Sequence, residues 1–308
     1  MATTHNIAGL PADLPAEALA QAGALAKAGV LIEALPYIQN FYDKTVVIKY
    51  GGAAMTDVSI RRSVLQDVVF MSYVGMRPIL VHGGGPFVSR RMEELGRKSV
   101  FVKGFRVTDA ETMKIAEEEF TKINHDIVRE LISLGASALS LNGKDDHLIE
   151  VQKHADIDGQ DIGFVGDITK INGDVIQRMM VSDIIPVIPP IGVGAEDGET
   201  YNINADQVAA SIAGALAALK LVLLTDVGGI YKDIKEPSSL IPHATTADVA
   251  GFIDSGVISG GMIPKVKACT HALELGVGKT HIIDAKIPHG LLLEIFTDKG
   301  IGTEIVKQ

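Results

Sequence analysis

The sequence predicts an α/β protein with a mostly parallel central sheet and helices on both faces. Three observations predict it. Apolar, β-branched runs (TVVIKY, PILVH, ALSL, IIPVI, LVLLT and HIID) alternate with helical patterns, and strand–helix alternation builds parallel sheets. Gly75, Gly96, Gly135 and Gly276 stand where those helices would stop. Several strands run into glycine-rich turns, at the carboxyl rim where open α/β sheets bind ligands.

Along the chain, residues 1–11 are polar and irregular and read as a disordered tail. Residues 12–35 are rich in Ala, Leu and Glu, with Leu19, Leu25, Leu31, Ile32 and Leu35 spaced as a helical stripe. Pro36 ends or kinks that helix. A helix ahead of the first strand has no core of its own, so it must dock on its own domain or on another subunit. Further helices are expected at residues 57–74, 86–95, 109–134, 206–219 and 264–275. Residues 148–172 differ: LIEVQKH and VGDITKI are two-periodic and separated by Asp/Gly-rich turns, as in a hairpin inserted on the sheet.

The chain has 308 residues, 47% hydrophobic and 21% charged, with a formal net charge of −10. This is a globular composition, long enough for one large domain or two lobes sharing a core. The acidic balance argues against nucleic acid and anionic membranes as partners. An anionic substrate would need local positive charge or backbone N–H groups. The single cysteine, Cys269, allows no intramolecular disulfide and fits a reducing cytosol. Within KVKACTHALEL it reads as a small buried helix residue and not as a nucleophile. Residues 1–13 hold no Lys or Arg for a basic leader, and no run approaches about 20 apolar residues, so a cytoplasmic protein is expected.

The standard nucleotide loops fail. GVGKT at 276–280 lacks the first glycine of a P-loop, whose place is taken by Leu273. The third glycine of a dinucleotide-binding turn is replaced by Val88 in one candidate and Asp197 in another. Other glycine turns remain. Lys49 ends an apolar strand before Gly51 and Gly52, an expensive place for a cation unless something anionic meets it. Gly83, Gly84 and Gly85 follow the strand ending in His82, and Pro86 suits the first turn of the next helix. Backbone N–H groups there can bind an anion. Gly260 and Gly261 precede Pro264 and Lys265, a lysine where the helix dipole is already positive.

Asn202, Asn204 and Asp206 lead into an apolar helix; one of them is an N-cap, and Asp206 can serve as a shared counter-ion for two lysines. Thr225 and Asp226 end another strand, with Tyr231 and Lys232 beyond a Gly-Gly turn, as nucleotide contacts. Arg106 precedes a capping box running from Thr108 to Glu111, and arginine is the best bidentate clamp for a carboxylate.

IKYGG, VHGGGP, GFRVTDAET, NINADQ, LLTDVGGIY, SGGMIPK and GIGTEI occur in this order, and the set resembles the amino acid kinase family from about residue 30 to the C-terminus. The resemblance implies a three-layer αβα sandwich, the amino acid kinase fold, with an N-terminal helix extension. It implies an oligomerisation helix at 12–36, a lobe at 37–200 for the acyl substrate and a lobe at 201–308 for ATP. The pattern is most similar to the branch acting on N-acetyl-L-glutamate. By that likeness Lys49, Lys265 and Asp206 are catalytic. Gly84, Gly85, Arg106 and Asn202 bind substrate. Gly51, Gly52, Thr225, Asp226 and Lys232 bind ATP, with Mg²⁺ carried mainly by the phosphates and no protein ligand named for it. LPYIQNFY resembles the hexameric, arginine-inhibited branch, which implies an L-arginine site at Tyr37, Lys220, His281, Glu294 and Gly300. It also implies a homo-oligomer, dimer or hexamer, and leaves a PII-type regulator open as a partner. SLNGKDDH, around Asn142 and Asp146, departs from the usual glycine-rich form of that turn.

The chemistry explains the residue choice. A side-chain carboxylate with a pKa near 4.3 is already a nucleophile at neutral pH, so no general base is needed. The obstacle is bringing it to a triphosphate, which calls for alignment and positive charge. Rival readings are a kinase for aspartate, glutamate, carbamate or UMP, a non-catalytic arginine-sensing protein, and a nicotinamide-dependent oxidoreductase. The ordered KGFRVTD and NINADQ motifs, the two lysines and the failed dinucleotide spacing weigh against these in turn.

Overall fold

The computed structural model of the chain describes residues 16–296 and 300–308. The tail expected at 1–11 lies outside them, as do the first residues of the helix expected at 12–35. In chain order, α1 (Ala16–Phe41) leads into β1 (Thr45–Tyr50), α2 (Val58–Tyr73), β2 (Arg77–His82) and α3 (Gly85–Glu94). A short hairpin, β3 (Phe101–Val102) and β4 (Phe105–Arg106), precedes the long α4 (Ala110–Ser133) and β5 (Ala138–Ser140). There follow β6 (Ile149–Lys153), β7 (Gly166–Ile171), α5 (Gly173–Met180), β8 (Ile185–Ile188), β9 (Ile191–Gly194) and β10 (Thr200–Asn202). The last third holds α6 (Ala205–Ala215), β11 (Lys220–Thr225), β12 (Ile230–Tyr231), β13 (Leu240–Ile241) and β14 (His243–Thr245). It ends with α7 (Thr246–Asp254), α8 (Met262–Glu274), β15 (Lys279–Asp284), α9 (Gly290–Phe296) and β16 (Thr303–Val306).

The central sheet has eight strands in the order β14-β16-β15-β11-β1-β2-β8-β5. Every pairing in it is parallel except β15 with β16. Both faces are buried, which is why the central strands are unbroken apolar runs. Along β1, Val47 packs in one core with residues of α5, α6 and α8. Val46, Ile48 and Tyr50 pack in the other, with α2, α3, α4 and α9. These are the three layers of an αβα sandwich. The four glycines expected to stop helices all take positive φ just past them.

Three local expectations are corrected. Pro36 does not end α1, which runs on to Phe41. The proline ring removes only one helical hydrogen bond, and Tyr37 and Phe41 beyond it pack against the protein. The hairpin of β6 and β7 is not inserted on the central sheet. It belongs to a separate sheet of order β10-β9-β6-β7, where β6 runs parallel to β9. Its other two strands, β9 and β10, flank the acidic turn AEDGE, and neither was among the strands expected from the sequence. The cap of α4 is Asp109, which accepts from the Thr112 N–H at 2.7 Å. Thr108 is buried and donates to the Arg106 carbonyl instead, fixing the turn that carries the arginine. Among the described residues no helix is long and apolar enough to cross a membrane.

Candidate active site

Side chains alternate faces along a strand, so Lys49 lies on the same side of β1 as Val47, toward α6 and α8. Those helices bring Asp206 in the first turn of α6 and Lys265 one turn into α8. Lys49 Nζ lies 3.0 Å from Asp206 Oδ1, and Lys265 Nζ lies 2.9 Å from Asp206 Oδ2. The Lys265 contact is a hydrogen bond. The Lys49 contact is held by charge with poorer direction, because Oδ1 forms no hydrogen bond. Burial alone would raise the Asp206 pKa, yet the two lysines bring it down to about 2. Burial lowers the Lys49 pKa, and the Asp206 charge opposes the shift. Asn204 provides the N-cap of α6, accepting from the N–H of Asp206 at 2.8 Å, so the carboxylate is fixed by its helix start.

A cavity of about 300 Å³ opens beside Lys49 and Asp206. Gly84, Gly85, Arg106 and Asn202 line it, as the sequence motifs had grouped them. Arg106 is buried, and its guanidinium donates to Ser99 Oγ at 2.6 Å, Ser89 Oγ at 2.8 Å and the Gly85 carbonyl at 2.9 Å. It also lies 4.8 Å over the Phe101 ring. Burial lowers its pKa, and among the described residues no carboxylate forms an ion pair with it. A buried cation held only by neutral groups suits an incoming anion. Sequence reasoning missed the apolar lining of this cavity, Phe101, Phe105, Phe120, Val165 and Ile203. Those residues carry no chemical signature in sequence and converge only through the fold.

A second cavity, of about 680 Å³, lies on the Lys265 side and is lined by Thr225, Asp226, Tyr231 and Lys232. Ile234, Val257, Ile258 and Met262 add an apolar floor, suited to a flat heteroaromatic ring. Gly52 lines the first cavity and touches the residue that marks the second: a Cβ on it would lie 2.7 Å from Asp226 Oδ2, and its φ is +79°. Gly51 lines neither cavity. Its missing side chain makes room for Lys49, whose Nζ would be 2.5 Å from a Cβ there. Cys269 is fully buried and its thiol is pushed up to about 12, so it offers no nucleophile.

Tyr37, Lys220, His281, Glu294 and Gly300 are not part of either cavity. They line a third, of about 650 Å³, together with Glu304. His281 Nδ1 lies 2.6 Å from Glu294 Oε1, and the Ile301 N–H donates to Glu294 Oε2 at 2.7 Å. Lys220 Nζ stands 5.0 Å over the Phe41 ring, so α1 closes one side of this cavity. Burial opposes ionisation of Glu294, but His281 and the Ile301 N–H outweigh it and hold its pKa below the usual range. Lys220 and Thr225 are the two ends of β11. The third cavity and the nucleotide-sized one therefore sit at opposite edges of the same strand.

Fold and site together define a phosphotransferase of the parallel-sheet αβα type. Residues 44–284 match the amino acid kinase family, and the chain belongs to that family. It is 53% identical over 290 residues to the acetylglutamate kinase of Moorella thermoacetica, covering 92% of this chain and 98% of that one. It is 52% identical over 293 residues to the acetylglutamate kinase of Heliobacterium modesticaldum, with 92% and 99% covered. Among solved structures it resembles the N-acetylglutamate synthase of Neisseria gonorrhoeae complexed with coenzyme A and N-acetyl-glutamate, with a TM-score of 0.82 and 26% identity. That likeness covers 91% of this chain and 63% of the synthase chain. The same synthase complexed with L-arginine gives a TM-score of 0.79 at 26% identity, covering 91% of this chain and 65% of that one.

Proposed function

We propose that the chain transfers the γ-phosphoryl group of ATP to the side-chain carboxylate of N-acetyl-L-glutamate, forming N-acetyl-L-glutamyl 5-phosphate, the second step of arginine biosynthesis. One observation carries the reading. A single carboxylate, Asp206, holds one lysine at each of two adjoining cavities. One cavity offers a buried arginine and glycine N–H groups to a small anion; the other offers an apolar floor with lysines. The acetylglutamate kinases at 53% and 52% identity support the same substrate.

Arg106 takes the α-carboxylate and leaves the γ-carboxylate facing Lys49. An oxygen of that carboxylate bonds to the γ-phosphorus while the bond to the β–γ bridging oxygen breaks, and ADP leaves with the electron pair. No proton moves. Lys49 and Lys265 neutralise charge on the transferring group, and the glycine turns bring backbone N–H groups close to it. Asp206 keeps the two ammonium groups apart and aimed before substrate arrives, so little reorganisation is left for the reaction. Mg²⁺ bound with ATP would offset the phosphate charge; it commonly takes one or two carboxylates besides phosphate and water, and Asp226, beside Gly52, would be the carboxylate to hold it. Residues 37–200 form the acyl-substrate lobe and residues 201–308 the ATP lobe, with Asn202 and Asp206 reaching across.

The third cavity fits L-arginine as an inhibitor. Glu294 and Glu304 are carboxylates for a guanidinium, and β11 links this cavity to Thr225. The helix α1 leaves Leu25, Val30, Leu31 and Ile32 between 64% and 69% exposed, an apolar surface that suits pairing with a second copy.

A panel of acceptors with Mg-ATP tests the catalytic reading: N-acetyl-L-glutamate, glutamate, aspartate, carbamate and UMP. Acyl phosphate is trapped as hydroxamate, and ADP release covers the other acceptors. Preferred turnover of N-acetyl-L-glutamate is expected. Preferred turnover of another acceptor, or none at all, overturns the assignment.

A further inference from the structure

His82 is the last residue of β2 and is fully buried. It precedes the three glycines of the first cavity but does not itself line that cavity. Its Nδ1 lies 2.7 Å from the Gly83 carbonyl oxygen. A carbonyl only accepts, so Nδ1 carries the proton and Nε2 is the bare nitrogen. Among the described residues Nε2 has no hydrogen-bond partner. Burial lowers the pKa of the ring to about 4, which leaves it neutral near pH 7. A buried imidazole that uses one nitrogen and leaves the other unmatched is a poor space-filler beside Leu80 and Val81. The Nδ1 contact is the feature that distinguishes it from an apolar side chain.

That contact falls on a chain segment with unusual freedom. Three successive glycines can turn their peptide planes at low steric cost. The Gly83 N–H is tied to the Tyr50 carbonyl at 2.8 Å, and the Gly84 carbonyl is tied into the start of α3 by Phe87 and Val88. The remaining free plane is the peptide joining Gly83 to Gly84. In a trans peptide the N–H points opposite to the carbonyl. Holding the Gly83 oxygen against the His82 ring turns the Gly84 N–H the other way, away from that ring, and Gly84 is one of the residues lining the cavity. A flipped plane would present a carbonyl dipole to the site where two anions must meet.

We infer that His82 is a positioning residue: its Nδ1–H clamps the Gly83 carbonyl, so that the Gly84 N–H is presented to the anionic groups of the reaction. The inference rests on the kinase reading above. It predicts which nitrogen carries the proton, and it predicts that a donor at the Nδ1 position is what counts. The amide of an asparagine reaches the same place as Nδ1, whereas phenylalanine fills the volume without a donor.

Two measurements test it. In wild-type protein labelled with ¹⁵N-histidine, the His82 resonances, assigned by their loss in His82→Asn, should show the neutral Nδ1–H tautomer at pH 7. This requires no substrate, so it stands apart from the identity of the reaction. An Nε2–H tautomer overturns the inference. In steady-state kinetics, on wild-type enzyme already shown to turn over N-acetyl-L-glutamate, His82→Phe should lower kcat at least tenfold, with less than threefold change in the KM for ATP. His82→Asn should recover to within threefold of wild type. A His82→Phe enzyme as active as wild type overturns the clamp, and so does a His82→Asn enzyme as impaired as His82→Phe. If His82→Phe fails to fold, the tautomer and the His82→Asn kinetics still decide. Wild-type protein that does not turn over N-acetyl-L-glutamate defeats the kinase reading and leaves the tautomer to decide the clamp.

Discussion

Lys49, next to the last residue of β1, and Asp206, in the first turn of α6, form a buried ion pair of 3.0 Å between a strand and a helix from opposite halves of the chain. The same carboxylate also holds Lys265. One negative charge between two buried or half-buried cations leaves the cluster with a net positive charge. Buried ion pairs are a weak source of stability, and a surplus cation in such a cluster suits an incoming anion.

Lys265→Ala should lower kcat by about 10²-fold or more, as removal of a group that meets charge developing in the transition state does. The KM values for both substrates should change much less. Steady-state kinetics with each substrate varied in turn checks this. A loss confined to the KM for ATP would show ground-state binding and remove the transition-state role.

Asp206→Asn should destabilise the protein by about 3–5 kcal/mol, because it leaves two cations without their counter-ion. It should also change the acid limb of stability. In the native state the Asp206 pKa falls from 3.8 to about 2. A depressed carboxylate contributes stability that is fully present above its unfolded pKa and is lost as pH falls toward its folded one. Urea denaturation between pH 5 and pH 2 should therefore show a shallower loss in Asp206→Asn than in wild type. Equal slopes and equal midpoints would show that the carboxylate is not the counter-ion.

Arg106→Lys should weaken N-acetyl-L-glutamate binding by about tenfold or more while ATP binding stays within about threefold, because a lysine cannot copy a planar two-point contact. It would also lose the fork that now reaches Ser89, Ser99 and Gly85 together. Calorimetry with each ligand separately checks this. Equal losses for both ligands would contradict an arginine dedicated to the acyl substrate.

Deleting residues 1–35 should lower the mass in light scattering and abolish inhibition by L-arginine, with kcat kept within about threefold. The deletion removes the exposed apolar face of α1, which would otherwise cost about 1.5–3 kcal/mol for each large side chain left unburied. It spares every residue of the first two cavities. Tyr37 and Phe41 remain beside Lys220, but without the helix that orients them. A truncated protein of unchanged mass and unchanged arginine response would refute the role of the helix.

Much of the site was legible because its residues are chemically conspicuous. Lysines at the ends of apolar runs and glycines in excess of a turn's needs stand out in any sequence. That one of Asn202, Asn204 and Asp206 caps α6 was also legible, since a polar residue before an apolar helix has a local job, and the structure gives that job to Asn204. The apolar walls formed by Phe101, Phe105 and Phe120, and the floor formed by Val257, Ile258 and Met262, were not legible. Nothing separates such residues from core until distant segments meet. The second sheet was missed for a related reason. Its strand β9 reads IGVG, where glycine lowers strand propensity, and its pairing with β6 is non-local.

The sequence by itself determined the class of fold, six of the eight strands of the central sheet (all but β14 and β16), the helix stops and the residue types able to meet a phosphate and a carboxylate. These depend on local periodicity and on the conformational range of single residues. The tertiary structure set the geometry of the shared counter-ion that the sequence had suggested, with Lys49 on one oxygen of Asp206 and Lys265 on the other, and it alone placed Gly52 against Asp226. It alone set Tyr37, Lys220, His281, Glu294 and Gly300 together at the far end of β11 from Thr225. Those relations depend on which face of a strand is buried and on which helix crosses it. They are fixed by burying both faces of the sheet at once, a constraint that no single segment carries.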